Sequence, residues 1–339
     1  MVSTSHVSVI MSVYNASEYL KEAIYSILNQ TYANFEFIII NDCSTDDSLY
    51  IINSISDERI VIINNDKNIG LAASLNKAIK IAKGHYIVRM DADDIANKKR
   101  IEIQVKFMNK YPNCGVAGSY FKYIGNVKWY QKHQIIRGFK KNEDIKSQLL
   151  FGTAVLHPSV IIRKSILFSN NINYNISFSR AQDYELWSRL VFLTEITNIP
   201  KVLLKWRISI NQSSTKDRNT QIDYSKKIHI ELLTKLLGKT PSDKQLEIHA
   251  NLINKKSFSK IELYSIREWL ITIVHSSDNN PLFYKKSVLE KCSTIWFNTC
   301  ICSEVNFFIK PYIYFKSLLG LSKTITIKSV VLYLISFIK

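Results

Sequence analysis

"VSVIMSVYNASEYLKEAIYSILNQTYANFEFIIIND", residues 7–42, changes its periodicity twice. Residues 7–13 form a β-branched run that stops at the polar pair Tyr14–Asn15. From Ser17 to Asn29, Leu20, Ala23, Ile24, Ile27 and Leu28 fall on one stripe at helical spacing, with Ser17 as the candidate N-cap. Residues 35–40, FEFIII, return to a strand pattern. Two strands joined through one helix by such short connections are parallel. The alternation then repeats, with strands at 60–63 and 85–90 and helices over Thr45–Ser56 and Gly70–Lys83. The reading is an α/β, doubly wound, mainly parallel sheet.

Working outward, a helix is expected over Asn97–Tyr111 and a strand near Val116–Ser119. Residues 120–150 are polar and basic and are expected to carry a loop over the crevice. HPSVIIRK (157–164) and KVLLKWR (201–207) read as strands, and AQDYELWSRLVF (181–192) as a helix. No strand alternation survives beyond about residue 216, where the pattern is mostly helical. Two parts are therefore expected, 1–215 and 216–339.

With 46% apolar and 12% aromatic residues, the 339-residue chain is a folded protein rather than a disordered one. Its formal charge of +17 draws it to polyanions: nucleic acid, anionic lipid or phosphorylated substrates. No recognition helix, RNP-like motif or zinc module points to nucleic acid. The five cysteines, Cys43, Cys114, Cys292, Cys300 and Cys302, fit neither a zinc ribbon nor a CxxC pair, so a reduced cytoplasmic protein is expected. The opening residues lack the basic start and cleavage site of a signal peptide. No run of 18 uncharged apolar residues is present, and no spanning helix is expected.

In a doubly wound sheet the ligand crevice lies beyond the carboxyl ends of the strands. Here those ends read Ser12-Val13-Tyr14-Asn15, Asn41-Asp42, Asn64-Asn65-Asp66 and Asp91-Ala92-Asp93-Asp94, so one rim collects most of the acids. The D-x-D of Asp91 and Asp93 presents two hard carboxylates, which suits Mg²⁺ or Mn²⁺ bridging to substrate phosphates. Asp94 doubles as an N-cap for the helix over 97–111. Asp42 is either a hydrogen-bond acceptor for a ribose or pyrimidine, or an Asx-turn acid opening the next helix. Asp183, at a helix start, is either a cap favoured by the helix dipole or a general base.

"VSVIMSVYNASEYLKEAIYSILNQTYANFEFIIINDCSTDDS", "NIGLAASLNKAIKIAKGHYIVRMDADD", "HPSVIIRKS", "AQDYELW" and "WRISINQSS" stand in the order and spacing of family 2 glycosyltransferases, which the chain resembles over about residues 5–215. The resemblance implies the Rossmann-like GT-A fold and an enzyme acting on nucleotide sugars. It is nearest to bacterial transferases that build lipooligosaccharide, lipopolysaccharide O-antigen or capsule. It implies that Ser12, Tyr14 and Asp42 contact the nucleoside, that Asn68 and Gly70 border that pocket, and that Asp91 lies near the ribose and sugar. It further implies Asp93 as the metal ligand, Arg207 near the diphosphate, and Asp183 as the catalytic base. Gln182 stands where many relatives carry Glu, Trp187 is expected to pack the helix, and Ser209 replaces a common His, which removes an imidazole from that position.

The implied reaction is a single inverting displacement with a divalent cofactor, Arg100 or Arg207 assisting, and a UDP-sugar donor expected from the family. The implied acceptor is a saccharide hydroxyl, lipid-diphosphate-linked. Residues 305–339 contain five lysines and no acid among apolar clusters. They are read either as a buried helix pair with snorkelling lysines or as a peripheral anchor on the anionic cytoplasmic face of the inner membrane. Two alternatives compete with this reading: a phosphatase-type D-x-D hydrolase, disfavoured because the acids follow the fourth strand, and a basic nucleic-acid-binding protein.

Overall fold

The computed structural model describes residues 6–209, 218–254 and 257–305, so the lysine-rich stretch from 306 onward lies outside the described residues. The chain divides into two compact units, one of residues up to 145 with 153–224, the other of 146–152 with 225 onward.

The first unit is built on one sheet in the order β3-β2-β1-β4-β8-β6-β9-β5, with β7 paired to β6. Its strands β1 (Val7–Val13), β2 (Phe35–Asn41), β3 (Ile60–Asn64) and β4 (Tyr86–Met90) alternate with α1 (Ser17–Leu28), α2 (Ser48–Asn53) and α3 (Leu71–Ile81). These four strands are parallel, as their short crossovers dictate. Residues of β1, β2 and β4 are almost all buried, which explains their unbroken apolar runs. The helical stripe of Leu20, Ala23, Ile24, Ile27 and Leu28 is buried as its spacing requires.

Beyond β4 the sheet becomes mixed. The strand β5 (Ile95–Ala96) precedes α4 (Arg100–Lys110), and β6 (Cys114–Gly125) runs well past the expected strand. β7 (Ile135–Ile136), α5 (Asn142–Leu149), β8 (Ile161–Arg163), α6 (Lys164–Ser169), α7 (Gln182–Leu190) and β9 (Glu195–Ile208) follow. β8 is antiparallel to both β4 and β6, while β9 runs parallel to β6 and antiparallel to β5. The expected strand 201–207 is the second half of β9, because the ladder to β6 jumps from Ile199 to Val202. That irregularity carries Pro200, which lacks the N–H a regular ladder needs. The stretch expected as a loop over 120–150 instead holds the end of β6, a 3₁₀ turn at Trp129–Gln131, β7 and α5.

Two caps differ from the sequence reading. Ser17 does not cap α1; Ala16 occupies that position without a side-chain bond. Instead the first N–H groups of α1 are met from the next crossover: Ser48 Oγ accepts from Ala16 N at 2.9 Å and Asp46 Oδ2 from Ser17 N at 2.9 Å. This employment of residues 44–47 explains why α2 starts at Ser48 and not at Thr45. Nor does Asp94 cap α4, where Lys99 holds the cap position. The intervening residues Ile95–Ala96 pair with β9 and carry Asp94 away from the helix.

The second unit is helical, with α8 (Arg218–Leu237) from Ser225 onward, α9 (Asp243–Asn254), α10 (Lys260–Ser276) and α11 (Lys285–Ile301). A capping box opens α10, in which Ser259 N–H donates to Glu262 Oε2 at 2.9 Å. Its core includes Leu233, Leu270, Ile273, Val288 and Trp296, all fully buried. Two histidines lie in it: His249 Nε2 donates to Leu150 O at 2.9 Å, Trp269 Nε1 donates to His249 Nδ1 at 3.1 Å, and the His229 ring stands edge-on at 5.0 Å. No described helix is long and apolar enough to cross a membrane.

Candidate active site

β1 lies between β2 and β4, with Val13 opposite Asn41 and Met11 opposite Met90. The residues leaving the three strands, Tyr14, Asp42 and Asp91, therefore emerge side by side at one edge. Strand order reverses across β1, which makes this edge the topological switch point. Ser12 is half-buried there and Tyr14 is 51% exposed. Four described non-glycine residues take left-handed backbone, all in connecting segments: Asn15 (φ 49°), Cys43 (φ 59°), Asn171 (φ 50°) and Ala181 (φ 59°). Each such conformation costs of order 1 kcal/mol and clusters where geometry serves a site.

Asp42 is 2% exposed, and its carboxylate organises the NIG turn. Its Oδ1 accepts from Ile69 N at 2.9 Å and Asn65 Nδ2 at 2.8 Å, and its Oδ2 from Gly70 N at 2.9 Å. Lys77 Nζ donates to Asn65 Oδ1 at 2.8 Å, anchoring the set to α3. Gly70, at φ +86°, adopts backbone that a side chain would strain, and Asn68 Oδ1 accepts from its N–H at 3.1 Å. Asp42, Asn68 and Gly70 thus form one turn with Asn65, already expected on the rim, and Lys77, which the sequence reading missed.

Asp91, Asp93 and Asp94 each bring a carboxylate oxygen within 4.8 Å of the others. Asp91 is paired with the Arg89 guanidinium, whose side chain is only 3% exposed. Asp94 is fully buried, and its Oδ1 accepts from Arg207 N at 2.8 Å. Its Oδ2 is buried without a hydrogen-bond partner among the described residues. Burial, and then the neighbouring Asp91, push Asp93 up to about 6 and lift Asp94 well above the carboxylate range. Three hard oxygen donors that resist simultaneous ionisation, one with an unsatisfied buried oxygen, fit a divalent cation such as Mg²⁺ or Mn²⁺.

Arg207 braces this turn. Its Nε donates to Asp93 O at 2.7 Å, its Nη2 to Glu22 Oε2 at 2.5 Å, and its guanidinium lies 4.1 Å from the Tyr19 ring centre. Arg100 takes no such place. It is fully buried, donating to Arg89 O at 2.7 Å and Gln104 Oε1 at 3.2 Å, so its charge is spent inside the fold. Ser209, half-buried just beyond β9, completes this end of the strand.

Asp183 occupies the first turn of α7, after the left-handed Ala181, and is half-buried. Burial raises its carboxyl, while the Tyr184 N–H and the Arg89 charge pull it back. Asp91 acts on the same carboxyl, which brings Asp183 and the acid turn into one electrostatic neighbourhood around Arg89. Tyr174 belongs to it too, and its hydroxyl is hydrogen-bonded to His157 Nε2 at 2.7 Å. Burial keeps His157 neutral by lowering it well below its ordinary value. Asn76 of α3 fixes Tyr174 by two backbone bonds, to its N at 2.9 Å and its O at 2.8 Å. Trp187 is fully buried, as expected for packing. Arg89 had one visible signal, a charge inside an otherwise apolar strand; the His157–Tyr174 pair spans 17 residues and had none.

The Glycosyl transferase family 2 model matches residues 8–168. An uncharacterized glycosyltransferase of Haemophilus influenzae is 35% identical over 268 residues, 77% of this chain and 80% of its own. The Escherichia coli UDP-Glc:alpha-D-GlcNAc-diphosphoundecaprenol beta-1,3-glucosyltransferase WfaP is 35% identical over 188 residues, 55% of this chain and 70% of its own. Among solved structures, S. aureus TarS 1-349 in complex with UDP-GlcNAc superposes with a TM-score of 0.56 at 17% identity, over 91% of this chain and 86% of that one. The mannosyltransferase PcManGT of Pyrobaculum calidifontis, in complex with GDP-Man and Mn2+, gives 0.54 at 16% identity, over 80% and 74%. At these identities the two structures speak for the fold, which is GT-A. Sequence motifs, fold and relatives agree, and the chain is a family 2 glycosyltransferase.

Proposed function

We propose that the enzyme moves a sugar from a nucleotide-diphosphate donor, a UDP-sugar, to a hydroxyl of a lipid-diphosphate-linked saccharide, with inversion at the anomeric carbon. The observation that carries this reading is the convergence on Arg89 of the acid turn after β4 and the Asp183 carboxyl at the start of α7. The acid turn can hold a divalent ion that would meet a leaving diphosphate, and the Asp183 carboxyl can take a proton. The E. coli relative, named for a diphosphoundecaprenol-linked acceptor, supports the lipid-linked substrate.

In this reading the nucleoside lies along Ser12, Tyr14 and the turn that Asp42 holds with Asn68 and Gly70, and Asp91 meets the ribose and sugar. Asp93 holds the divalent ion. When bound, that ion supplies Lewis-acid stabilisation of the charge that grows on the diphosphate. Arg207 keeps the acid turn in place through Asp93 O and adds positive charge beside it. The acceptor oxygen bonds to the anomeric carbon as the bond to the diphosphate breaks. The nucleoside diphosphate leaves with the electron pair, and the hydroxyl proton passes to Asp183. A positioned base contributes roughly 10²–10⁴-fold.

Replacing Asp183 by Asn is expected to cut transfer by that range while calorimetry finds donor binding intact; normal turnover by Asp183→Asn would refute the assignment. Asp93→Ala is expected instead to abolish the Mn²⁺ dependence of donor binding in the same titrations. We place transfer in residues 1–215 and a peripheral membrane seat in the lysine-rich residues 305–339, on the cytoplasmic face of the inner membrane.

A further inference from the structure

The excursion "KWYQKHQIIRGFKK", residues 128–141, has no place in the donor site described above. It carries five lysines and arginines and no acid, and every one of those cations is exposed. Trp129 is 81% exposed and Tyr130 53%, and their rings stand edge to face 6.0 Å apart. Large exposed aromatics interleaved with unpaired-sign charge are costly in water and stable at a lipid–water interface.

The excursion is also held in shape. Lys128 N–H donates to Gln131 Oε1 at 3.1 Å, and Ile135–Ile136 fold back onto Lys122 and Phe121 of β6. Farther on, Asn198 Nδ2 donates to Phe139 O at 2.9 Å and Thr197 Oγ1 to Lys140 O at 2.6 Å. Gly138 permits this strap, since a Cβ there would meet Asn198 at 2.4 Å. A surface presented by a braced segment loses little conformational entropy on docking.

Its position gives it a purpose. β6 ends with Ile124 opposite Arg207 and Gly125 opposite Ile208, and Asn126 N donates to Ile208 O at 2.8 Å. The excursion therefore leaves the sheet one strand from the arginine that braces the acid turn.

We infer that residues 128–141 are a membrane-docking surface for anionic phospholipid, with the basic side chains on the headgroup phosphates and Trp129 and Tyr130 at the interface. Charge complementarity selects this occupant: five exposed cations with no acid among residues 128–141 match a dense anionic surface, where each contributes about fivefold in partition. The inference rests on the lipid-linked acceptor for its purpose, because docking here would hold the crevice beside the membrane that presents the acceptor. Its chemistry is independent of that reading.

The test is co-flotation of the full chain with vesicles of phosphatidylcholine alone and of equal parts phosphatidylcholine and phosphatidylglycerol. Lys132→Gln with Arg137→Gln is expected to weaken partition onto the anionic vesicles about 25-fold and to leave UDP binding with Mn²⁺ unchanged. The Trp129 emission, obtained by difference against Trp129→Phe, is expected to shift to the blue on anionic vesicles and lose access to iodide. Unchanged partition of the charge variant overturns the inference, as does a Trp129 that iodide still quenches on bound protein. Binding abolished by removing residues 306–339 but indifferent to both loop variants also overturns it. A neutral oligosaccharide bound through Trp129, without any vesicle response, would overturn it in favour of a carbohydrate surface. Failure of the parent chain to bind UDP would strike the proposed UDP-sugar donor and leave the vesicle comparison standing.

Discussion

Arg89 is a charge inside a strand whose other residues are apolar, and it lies within the field of four acids: Asp91, with which it pairs, and Asp93, Asp94 and Asp183. Burial opposes its charge, yet the pair with Asp91 keeps the guanidinium protonated. Asp91 keeps access to water (30% exposed) when Arg89 is removed, so Arg89→Met is expected to lose about 1–2 kcal/mol in denaturant unfolding. The same change removes a charge that lowers Asp183. With Asp183 as the proposed base, which works only when ionised, the acid limb of the kcat/KM–pH profile is expected above the ordinary carboxylate range in the parent enzyme. It should move to still higher pH in Arg89→Met, which pH–rate measurements on any residual activity would show. The acids themselves could be read from their strand ends, because polar residues after an apolar run must surface. What each acid touches could not: Asp42 is spent on the NIG turn and Asp94 on Arg207, partners 27 and 113 residues away.

At the level of elements, the first crossover was legible almost to the residue, since α1 and β2 obey strict periods of 3.6 and of a fully buried strand. The mixed half was less so. β8 has three residues and β5 two, too short to show any alternation, and Pro200 concealed the continuity of β9. Caps were the least legible feature, because sequence rules look for them next door. Hydrogen bonds from Ser48 and Ser17 hold Asp46 down at about 2 even though burial opposes its ionisation. A carboxylate lowered on folding stabilises the native state above its unfolded value near 4, and that contribution is lost as pH falls toward 2. Asp46→Ala is accordingly expected to destabilise by about 1 kcal/mol at neutral pH, and by less at pH 3, in urea titrations.

On the scale of the whole molecule, the helical unit was visible only as an absence of strands, and its buried histidines carried no signal. Burial lowers His249 to about 4 and His229 to about 3, so neither takes a proton in the native state near neutrality. The unfolded chain does take them below pH 6.5, so stability falls as pH is lowered from there, by about 1.4 kcal/mol per unit for each histidine. His229→Leu should remove one of these contributions and flatten the acid side of the stability curve of this unit, read by circular dichroism in urea. The bonds that tie Ala16 and Ser17 to Ser48 and Asp46 also order the assembly of the chain in time. While the ribosome has released only the opening strand and helix, the donors at that helix start face water. They are satisfied only when the second crossover has emerged, so that helix start is completed by residues made 29 and 32 positions later.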